Sequence, residues 1–486
     1  MARSHSAEIR ERLDHPVIDG DAHYLEFAPL FFDTVREVAG NEMAELYAEL
    51  RKHLTAHLSA PVEERRRNRD VTAFWGLPTE NTLDRMTATL PSLYYRRLDE
   101  MGLDFAVLYP TLGAFCLESP IDELRQALSR SFNEYAAAAF GPYADRMTPV
   151  AVIPMHTPEE AIAELEHAAS LGLKVALISG FVRRPHPAIA ESHPELARHA
   201  YWIDTYGVDS AHDYDPVWAK CIELGMPVAT HTAAMGLHER SSPSNYMYNH
   251  MGHFAAAGEA LCKSLFLGGV TRRFPRLRVA CLEGGATTGV RLYHDLHGRW
   301  EKRGAPHIHR LDPANLDRSL ALRLFREHAP ELMERYGHLG EEELLFSTEI
   351  GMGNHVPDLA PEAQDDFAAC GIERPEDIAD LFIPNFYFGC EADDALAAWA
   401  FRREANPLGE QVRVIMSSDN GHWDVVDMSH ALAEAWELVD RGLLSKEEFR
   451  DYCFTNSLRL YAGNNPDFFE GTVLEDEARR GLAAQD

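Results

Sequence analysis

The sequence predicts an α/β fold, specifically a (β/α)8 barrel of the TIM type with helical insertions. Short, apolar and β-branched segments recur along the chain, and longer helical segments separate most of them. Alternation of this kind builds a parallel sheet whose strands are covered by helices. Eight such segments can be counted, and no GxGxxG or Walker turn follows any of them. These observations favour a barrel over an open, nucleotide-binding sheet.

Each predicted strand is an apolar run that ends at a proline, a glycine or a polar residue. In chain order the eight strands are predicted within 17–26, 102–110, 147–154, 173–179, 226–231, 277–283, 385–390 and 412–417.

The predicted helices are segments in which apolar residues recur at helical spacing among alanines and charges. They cover about 29–69, 82–99, 121–140, 158–171, 216–224, 255–267, 393–405, 427–440 and 445–461. A further stretch, 289–380, is mainly helical and is broken near 303–306, whereas Tyr201 and Trp202 are predicted to lie in a loop.

The amino-acid composition indicates which partners and which cellular location to expect. The chain has 486 residues, of which 45% are hydrophobic and 25% charged, and its formal charge is -31. This excess of acidic residues argues against nucleic acid or an anionic membrane as a partner. The chain has no apolar run long enough to span a bilayer, it does not start like a signal peptide, and its seven scattered cysteines form no CxxC pair. We therefore expect a cytoplasmic protein with reduced thiols.

The domain prediction is one barrel over residues 1–486, with helical insertions at about 30–100 and 290–380. Enzymes on such barrels carry their chemistry at the carboxyl ends of the strands. The residues at those ends are therefore the ones to inspect for function.

Polar side chains end four of the predicted strands. Asp21 and His23 end the first strand, His231 the fifth and Glu283 the sixth, while Asp419 follows the eighth. The i, i+2 spacing of Asp21 and His23 points both side chains to one side of an extended strand. Any one of these residues could be a helix cap or a loop residue. Five at one end of a barrel instead favour a site for zinc or another first-row divalent metal.

These motifs carry a resemblance to a known family. The Asp-x-His triplet, the histidine after the fifth strand, the Glu-Gly-Gly-Ala after the sixth and the Ser-Asp-x-x-His-x-Asp after the eighth resemble the amidohydrolase-related family that includes aminocarboxymuconate semialdehyde decarboxylase. Segments 109–111, 215–218 and 456–461 are similar as well. The resemblance covers most of the chain outside the two insertions.

The resemblance implies a single divalent metal, with zinc expected and manganese or iron(II) as alternatives. Carried over by position, the implied ligands are Asp21, His23, His231 and Asp419. The chain has Asp-x-His where the named decarboxylase has His-x-His, and Glu283 stands where decarboxylases carry a histidine. A glutamate there is similar to the carbon–carbon bond hydrolases of the family, in which it also approaches the metal.

The expected function is that of a metal-dependent hydrolase, in which a metal-activated water attacks a carbonyl carbon of a small carboxylated or aromatic-derived substrate. Cleavage of a carbon–carbon or a carbon–nitrogen bond is open. Glu283 or Asp419 could be the base, with Glu283 favoured, and His422 is expected to orient its neighbours.

Two alternatives remain at this point. The first is a non-oxidative decarboxylase of the same family. The second is a catalytically silent barrel that serves as a binding or scaffold subunit, and it ranks last because none of the four ligand positions is lost. In each case we expect a homodimer or a higher homo-oligomer.

Six further residues are candidates for substrate contact at the same end of the barrel. Arginines after the fourth strand could clamp a carboxylate, aromatic side chains could form walls, and a histidine on the loop after the fifth strand could touch substrate. An exposed ion pair, simple packing and a solvated loop are the respective alternatives. The six residues are Arg183, Arg184, Trp75, Tyr201, Trp202 and His238.

Overall fold

A computed structural model of the chain describes residues 3–71, 80–197, 199–231, 241–311, 315–346 and 365–483. Two of the candidate substrate residues, Trp75 and His238, lie outside these ranges. The chain divides into two compact units, Met1–His294 with Ala379–Asp486 as the first and Asp295–Ile378 as the second. The second unit covers most of the insertion predicted at about 290–380, and the single-domain organisation stays a prediction.

Eleven strands are present in the described residues, and each predicted strand segment contains at least one of them. They are β1 (Ile18–Tyr24), β2 (Phe105–Pro110), β3 (Met147–Pro149), β4 (Ala151–Val152), β5 (Ala176–Ile178), β6 (Val182–Pro185), β7 (Tyr201–Asp204), β8 (Val228–Thr230), β9 (Val279–Cys281), β10 (Phe386–Glu391) and β11 (Val414–Ser417).

Nine of these strands form two parallel sheets. β1, β2 and β3 make the first, and β4, β5, β8, β9, β10 and β11 follow one another in the second. β3 and β4 are halves of one predicted strand, interrupted at Val150, whose N–H donates to Leu108 O at 3.0 Å. The next residue, Ala151, donates instead to Val175 O at 2.8 Å, so this strand joins the two sheets.

The other ends of the two sheets meet at β1 and β11. Asp419 N donates to Asp21 O at 3.0 Å, and His23 N donates to Asn420 O at 2.7 Å. Hydrogen bonds therefore link eight parallel strand positions into a ring, which confirms the predicted (β/α)8 barrel. The strands of this ring are buried except at the half-buried Glu391, as expected when helices cover the outside. Their apolar runs are interrupted by buried polar residues, most of all in β1.

The described helices precede, separate and follow the strands. They are α1 (His5–Arg10), α2 (Ala28–Ser59), α3 (Val62–Asn68), α4 (Thr82–Thr89), α5 (Pro91–Met101), α6 (Gly113–Cys116), α7 (Asp122–Phe140), α8 (Pro158–Ser170), α9 (Pro187–Ser192), α10 (Asp215–Glu223), α11 (Tyr246–His250), α12 (His253–Leu267), α13 (Val270–Arg273), α14 (Gly285–Arg303), α15 (Arg318–His328), α16 (Pro330–Tyr336), α17 (Glu341–Phe346), α18 (Pro375–Phe382), α19 (Ala431–Asp440), α20 (Lys446–Arg450), α21 (Asn456–Ala462) and α22 (Glu475–Ala483). In the described part of the chain, no helix combines the length and hydropathy needed to cross a bilayer.

Helix α8 shows how local sequence sets the element boundaries. Thr157 Oγ1 accepts from Glu160 N at 3.2 Å, and Glu160 reaches back to Thr157 N at 3.2 Å, which forms a capping box. Gly172 follows the helix with a φ of 83°, a conformation that glycine adopts without a steric penalty. Residues 158–171 were thus predictable as a helix from their caps as well as from their periodicity.

The helices predicted at about 29–69 and 82–99 are each divided into two, and two other predicted elements differ in type. Tyr201 and Trp202 lie in β7, which pairs antiparallel with β6, and not in a loop. The predicted helix at 393–405 is a 3-10 helix, Ala395–Phe401, whose first turn is capped by the Asp394 side chain accepting from Leu396 N at 2.8 Å. Both differences arise from contacts that depend on the folded chain, because strand pairing and helix tightening are decided by packing as well as by propensity.

Candidate metal centre

Asp21 and His23 lie towards the carboxyl end of strand β1. Both side chains are buried, and His23 Nε2 lies 3.3 Å from Asp21 Oδ1. The pairing of β1 with β2 shifts register between Asp19 and Ala22. β1 also packs closely against β11, since a Cβ atom on Gly20 would stand 2.8 Å from Ile415 Cδ1. The two candidate ligands are therefore held by a tightly packed backbone.

The loop after β11 brings Asp419 and His422 to the same place. Asp419 Oδ1 lies 3.2 Å from His23 Nε2 and 2.6 Å from His422 Nδ1. The His422 ring stacks on the His23 ring with centroids 3.7 Å apart, and its Nε2 lies 3.3 Å from the hydroxyl of Thr111. His422 is thus fixed between a carboxylate, a hydroxyl and a second imidazole.

Strands β8 and β9 supply the opposite side of the cluster. His231, directly after β8, places Nε2 2.7 Å from Glu283 Oε1, and the same oxygen lies 3.9 Å from His23 Nε2. Phe254 on α12 packs edge-on against the His231 ring at 4.8 Å. Glu283 therefore belongs to the cluster itself and faces two of its histidines.

Two of these residues have left-handed backbone conformations. Glu283 has a φ of 49° and Asp419 a φ of 54°. Such conformations are uncommon for residues with a side chain and cost on the order of 1–3 kcal/mol each. They persist where the surrounding structure fixes them, often at functional sites.

The six residues predicted as ligands or catalytic groups lie together. Two overlapping sets each have one potential ligand atom per residue within 4.8 Å of the others. The sets are Asp21, His23, His231 and Glu283, and His23, Glu283, Asp419 and His422.

The buried atoms of the centre fit a divalent cation. Within the described ranges, both carboxylate oxygens of Asp21 and Nε2 of His23 have no hydrogen-bond partner. Buried polar atoms without partners are costly, and a bound cation would satisfy them. Burial, and next the charge of Glu283, raises the pKa of Asp21 well above its ordinary value. Carboxylate oxygen and imidazole nitrogen suit zinc, manganese or iron(II).

The pKa shifts of Asp419, Glu283 and His422 also fit a cation-binding site. Burial raises the pKa of Asp419 well above its usual range, and the charge of Glu283 adds to the effect. Burial alone would also raise the pKa of Glu283, but His231 overcomes this and brings it below the ordinary value. Burial lowers the pKa of His422 to about 3. At neutral pH Glu283 is therefore ionised and His422 neutral, and a bound cation would lower the pKa values of Asp21 and Asp419 that burial raises.

Asp19 is a residue of the centre that the sequence reasoning missed. Its Oδ1 accepts from Ser418 N at 3.0 Å and from Asp21 N at 3.2 Å, and its other oxygen accepts from the Ser418 hydroxyl. Burial raises the pKa of Asp19 to about 6. Asp19 fixes the two ligand-bearing segments to each other. Its position two residues before Asp21, on the same side of the strand, was the available signal.

Glu391 and Thr111 were missed as well. Glu391 ends β10, and the seventh predicted strand stopped one residue before it. Burial, followed by the charges of Glu283 and Asp424, raises the pKa of Glu391 to about 8. Thr111 follows β2, within a motif used only for its family resemblance. Both residues extend the centre to strands for which no functional residue was predicted.

The two arginines predicted to bind substrate make other contacts. Arg184 pairs with Asp204 at 2.9 Å and donates to His156 O and to the Tyr214 hydroxyl, each at 2.7 Å. Arg183 pairs with Glu118. Both guanidinium groups are thus engaged in ion pairs within the protein, and their proposed contact with a substrate carboxylate stays a prediction.

The aromatic pair Tyr201 and Trp202 lies on the same hairpin. Each is partly buried, and the Arg183 guanidinium lies 5.7 Å from the centre of the Tyr201 ring. Among the described residues, no hydrogen bond or ion pair of Arg183, Arg184, Tyr201 or Trp202 reaches the metal cluster. The structure therefore brings the predicted ligands together, and contact of the β6–β7 hairpin with substrate stays a prediction.

Of three solved structures similar to this chain, one has a TM-score above 0.5 and supports the fold. An amidohydrolase from Mycobacterium avium subsp. paratuberculosis K-10 is 14% identical, with a TM-score of 0.51 over 92% of this chain and 100% of that one. A 2,6-dihydroxybenzoate decarboxylase from Rhizobium is 15% identical, with a TM-score of 0.45 over 93% and 100%. A manganese-bound dihydroxybenzoic acid decarboxylase from Polaromonas sp. JS666 is 15% identical, with a TM-score of 0.47 over 94% and 99%.

A search of curated proteins gives no match. The family comparison is decisive, because the family model described as Amidohydrolase matches residues 18–463, from the first barrel strand to the end of α21. The match confirms the resemblance indicated by the strand-end motifs. The chain belongs to the amidohydrolase family.

Proposed function

We propose that this protein is a divalent-metal-dependent hydrolase of a small organic molecule. The observation that carries the proposal is the buried cluster of two overlapping ligand sets, which share His23 and the ionised Glu283. Within the described residues, Asp21, His23 and Asp419 have ligand atoms without a hydrogen-bond partner, and His231 completes the proposed set of Asp21, His23, His231 and Asp419. These four residues would hold the metal, with zinc favoured and manganese or iron(II) as alternatives. The cation would supply Lewis-acid activation of water and of a substrate oxygen.

Glu283 is the group proposed to accept the proton. Its Oε1 lies 2.7 Å from His231 Nε2 and 3.9 Å from His23 Nε2, so it borders the position where ligand atoms converge. His231 brings its pKa below the ordinary value against the effect of burial, which keeps it ionised at neutral pH. A carboxylate so placed can accept a proton from water, and such general-base catalysis contributes about 10²- to 10⁴-fold.

His422 is proposed to hold the carboxylate of Asp419 in a fixed orientation at the metal centre. The short contact between Asp419 Oδ1 and His422 Nδ1, at 2.6 Å, fixes the orientation of the carboxylate. Thr111 holds the far nitrogen of His422 at 3.3 Å, and the His23 ring supports its face. Ligands orientated by hydrogen-bonded partners are the usual arrangement of protein metal sites.

The substrate side of the centre is aromatic. Phe254 contacts His231, and the His250 ring on α11 lies 5.8 Å from Phe254 and 5.7 Å from Trp423. Rings of this kind provide flat apolar walls with polar edges. This supports a planar, aromatic-derived molecule as the substrate.

Decarboxylation is the second candidate, and Glu391 is the observation that favours it. A decarboxylase must protonate the carbon that loses carbon dioxide, and Glu391, with a pKa raised by burial to about 8, is protonated at neutral pH. Hydrolysis stays first because the ionised Glu283 can act as the base for water, whereas Arg183 and Arg184 are paired with Glu118 and Asp204. A silent barrel ranks last, since the ligand set is complete.

The test combines metal analysis, product analysis and one variant. Metal-reconstituted protein is incubated with aromatic carbonyl and carboxyl compounds in ¹⁸O-labelled water, and released carbon dioxide is measured alongside ¹⁸O in the products. Labelled product without carbon dioxide supports hydrolysis, and the reverse supports decarboxylation. A protein that binds no divalent metal even after reconstitution would exclude both.

The variant Glu283→Gln identifies the base. Turnover should fall by about 10²- to 10⁴-fold, because the amide cannot accept the proton, while metal content stays close to that of the parent. Loss of metal would make Glu283 a ligand instead. Glu195→Gln, at an exposed site, is the matched control and should change neither quantity. Self-association and a cytoplasmic location stay predictions.

A further inference from the structure

A second group of imidazoles lies on α2, within the insertion after β1. His53 and His57 are four residues apart, so both side chains lie on one face of the helix. Their Nε2 atoms are 2.9 Å apart, and their rings meet edge to face with centroids at 4.4 Å. Two lone-pair nitrogens thus converge outside the barrel, on a helix that contributes no residue to the candidate metal centre.

The contact with Asp70 indicates which ring nitrogen of His57 carries the hydrogen. Its Oδ2 lies 3.1 Å from His57 Nδ1, and an ionised carboxylate can only accept a hydrogen bond. The hydrogen of neutral His57 is therefore on Nδ1, and its Nε2 presents a lone pair towards His53. Carboxylate–histidine pairs of this kind orient metal-binding imidazoles in proteins.

From this geometry we propose that His53 and His57 bind one divalent transition-metal ion, with Asp70 orienting His57. Metal–nitrogen bonds of about 2.0–2.1 Å place two ligand nitrogens of one ion about 3 Å apart, close to the observed separation. Zinc, copper(II) and nickel(II) are the ions that imidazole suits. A hydrogen bond between the two rings is the competing explanation of the contact.

Glu49 is available as a further ligand. It lies one helical turn before His53 and pairs with Lys52 at 2.5 Å on the exposed surface. Glu49 and His53 also line the same open groove, of about 500 Å³. Glu49, His53 and His57 therefore follow one another at i, i+4 and i+8, and water can complete the coordination of an ion.

The position of the site gives it a structural consequence. Asp70 directly follows α3 and its C-cap, and Asp70 N donates to Arg65 O at 3.0 Å. Arg65 in turn donates to Pro243 O at 2.9 Å, and Arg69 donates to Ser241 O at 3.0 Å. The contact of His57 with Asp70 links α2 to this segment, and through α3 to the loop that precedes α11, so an ion that fixes the His57 ring would stabilise this link.

The test counts metal ions in the full-length protein. Parent and the double variant His53→Gln/His57→Gln are equilibrated with Zn²⁺, and bound metal is measured after gel filtration. We expect the double variant to bind one ion fewer than the parent. The single variant Asp70→Asn should weaken the lost site by about 10- to 100-fold. His193→Gln, at an exposed histidine beside Glu195, is the control and should leave the count unchanged.

Copper(II) binding followed by electron paramagnetic resonance gives the second measurement. We expect nitrogen hyperfine structure from two imidazoles in the parent that is missing from the double variant. The inference fails if the double variant binds as many ions, with the same affinity and spectrum, as the parent. The same measurements on His23→Asn keep the outcome separate from the proposed function, because the α2 site must survive when the barrel centre is damaged.

Discussion

The barrel centre and the histidine pair on α2 use the same donors in opposite surroundings. In the barrel, Asp21 and His23 are at most 1% exposed, whereas the side chains of His57 and Asp70 are 40% and 26% exposed. Charges buried together interact strongly, while water and salt screen exposed ones. The barrel donors also come from strands distant in sequence, and the α2 pair comes from one helix. Burial and origin, more than residue type, thus distinguish the candidate metal centre from the proposed site on α2.

The variant Asp419→Asn should give the largest effect. Asparagine tolerates the left-handed backbone at this position, so the substitution removes mainly the charge. Metal affinity should fall by more than the about 10- to 100-fold that loss of an outer hydrogen bond costs, and turnover should fall with it. Metal content and activity are the measurements. The surface counterpart Asp70→Asn should leave both unchanged at the barrel centre, and near-normal metal binding by Asp419→Asn would remove Asp419 from the ligand set.

The pH dependence of the unfolding free energy tests whether charges at the barrel centre are penalised by burial while those on α2 are not. Burial raises the pKa of Glu391 from 4.5 to about 8, so the folded, metal-free protein binds a proton that the unfolded chain releases. The resulting stability is fully present below pH 4.5 and is lost as the pH rises through about 8. Between pH 5 and 8, the variant Glu391→Gln should lose about 2 kcal/mol less of its unfolding free energy than the parent, after allowance for partial exposure.

Urea unfolding at both pH values, after metal removal, measures this difference. Glu49→Gln, which removes a fully solvated carboxylate on α2, is the matched control and should follow the parent. Equal pH slopes in the parent and Glu391→Gln would show that Glu391 carries no buried charge penalty. The surface and the barrel centre would then be electrostatically alike at this position.

The smallest effect is expected from Thr111→Val. This variant removes the hydroxyl that lies 3.3 Å from His422 Nε2 and leaves the shape of the side chain nearly unchanged. Metal affinity should fall by about tenfold, because His422 then supports Asp419 less firmly. Thr271→Val is the control, since the buried Thr271 hydroxyl has no hydrogen-bond partner among the described residues. Equal losses of metal affinity in the two variants would contradict a specific role for Thr111.

The barrel and its ligands were predictable because both depend on local patterns. Apolar runs between helices mark the strands, and a polar residue that ends such a run must lie at the carboxyl rim of a parallel barrel. Asp21, His23, His231, Glu283 and Asp419 were found in this way and lie together. Each of these residues could be predicted from its own strand segment, without knowledge of the other segments.

The remaining features depend on contacts between distant segments. β6 and β7 become a hairpin by pairing across an intervening helix, and Arg184 is occupied because Asp204 lies on the facing strand. Neither partner is visible in the local sequence. Glu391 was missed because the end of its strand was placed one residue too early, which is within the usual error of strand boundaries. Free arginines at a rim are therefore a weak indication of a substrate site.

The hydrogen bonds that close the barrel also have a consequence for folding. The backbones of Asp21 and His23 bond to the segment around Asp419, and Asp19 bonds to Ser418, 399 residues later in the chain. Contacts across such long separations form late, because closing the long loop costs conformational entropy before the contacts can stabilise the chain. The candidate metal centre is therefore assembled only once the first and last strands have met. Metal uptake during refolding would report the moment at which the ring closes.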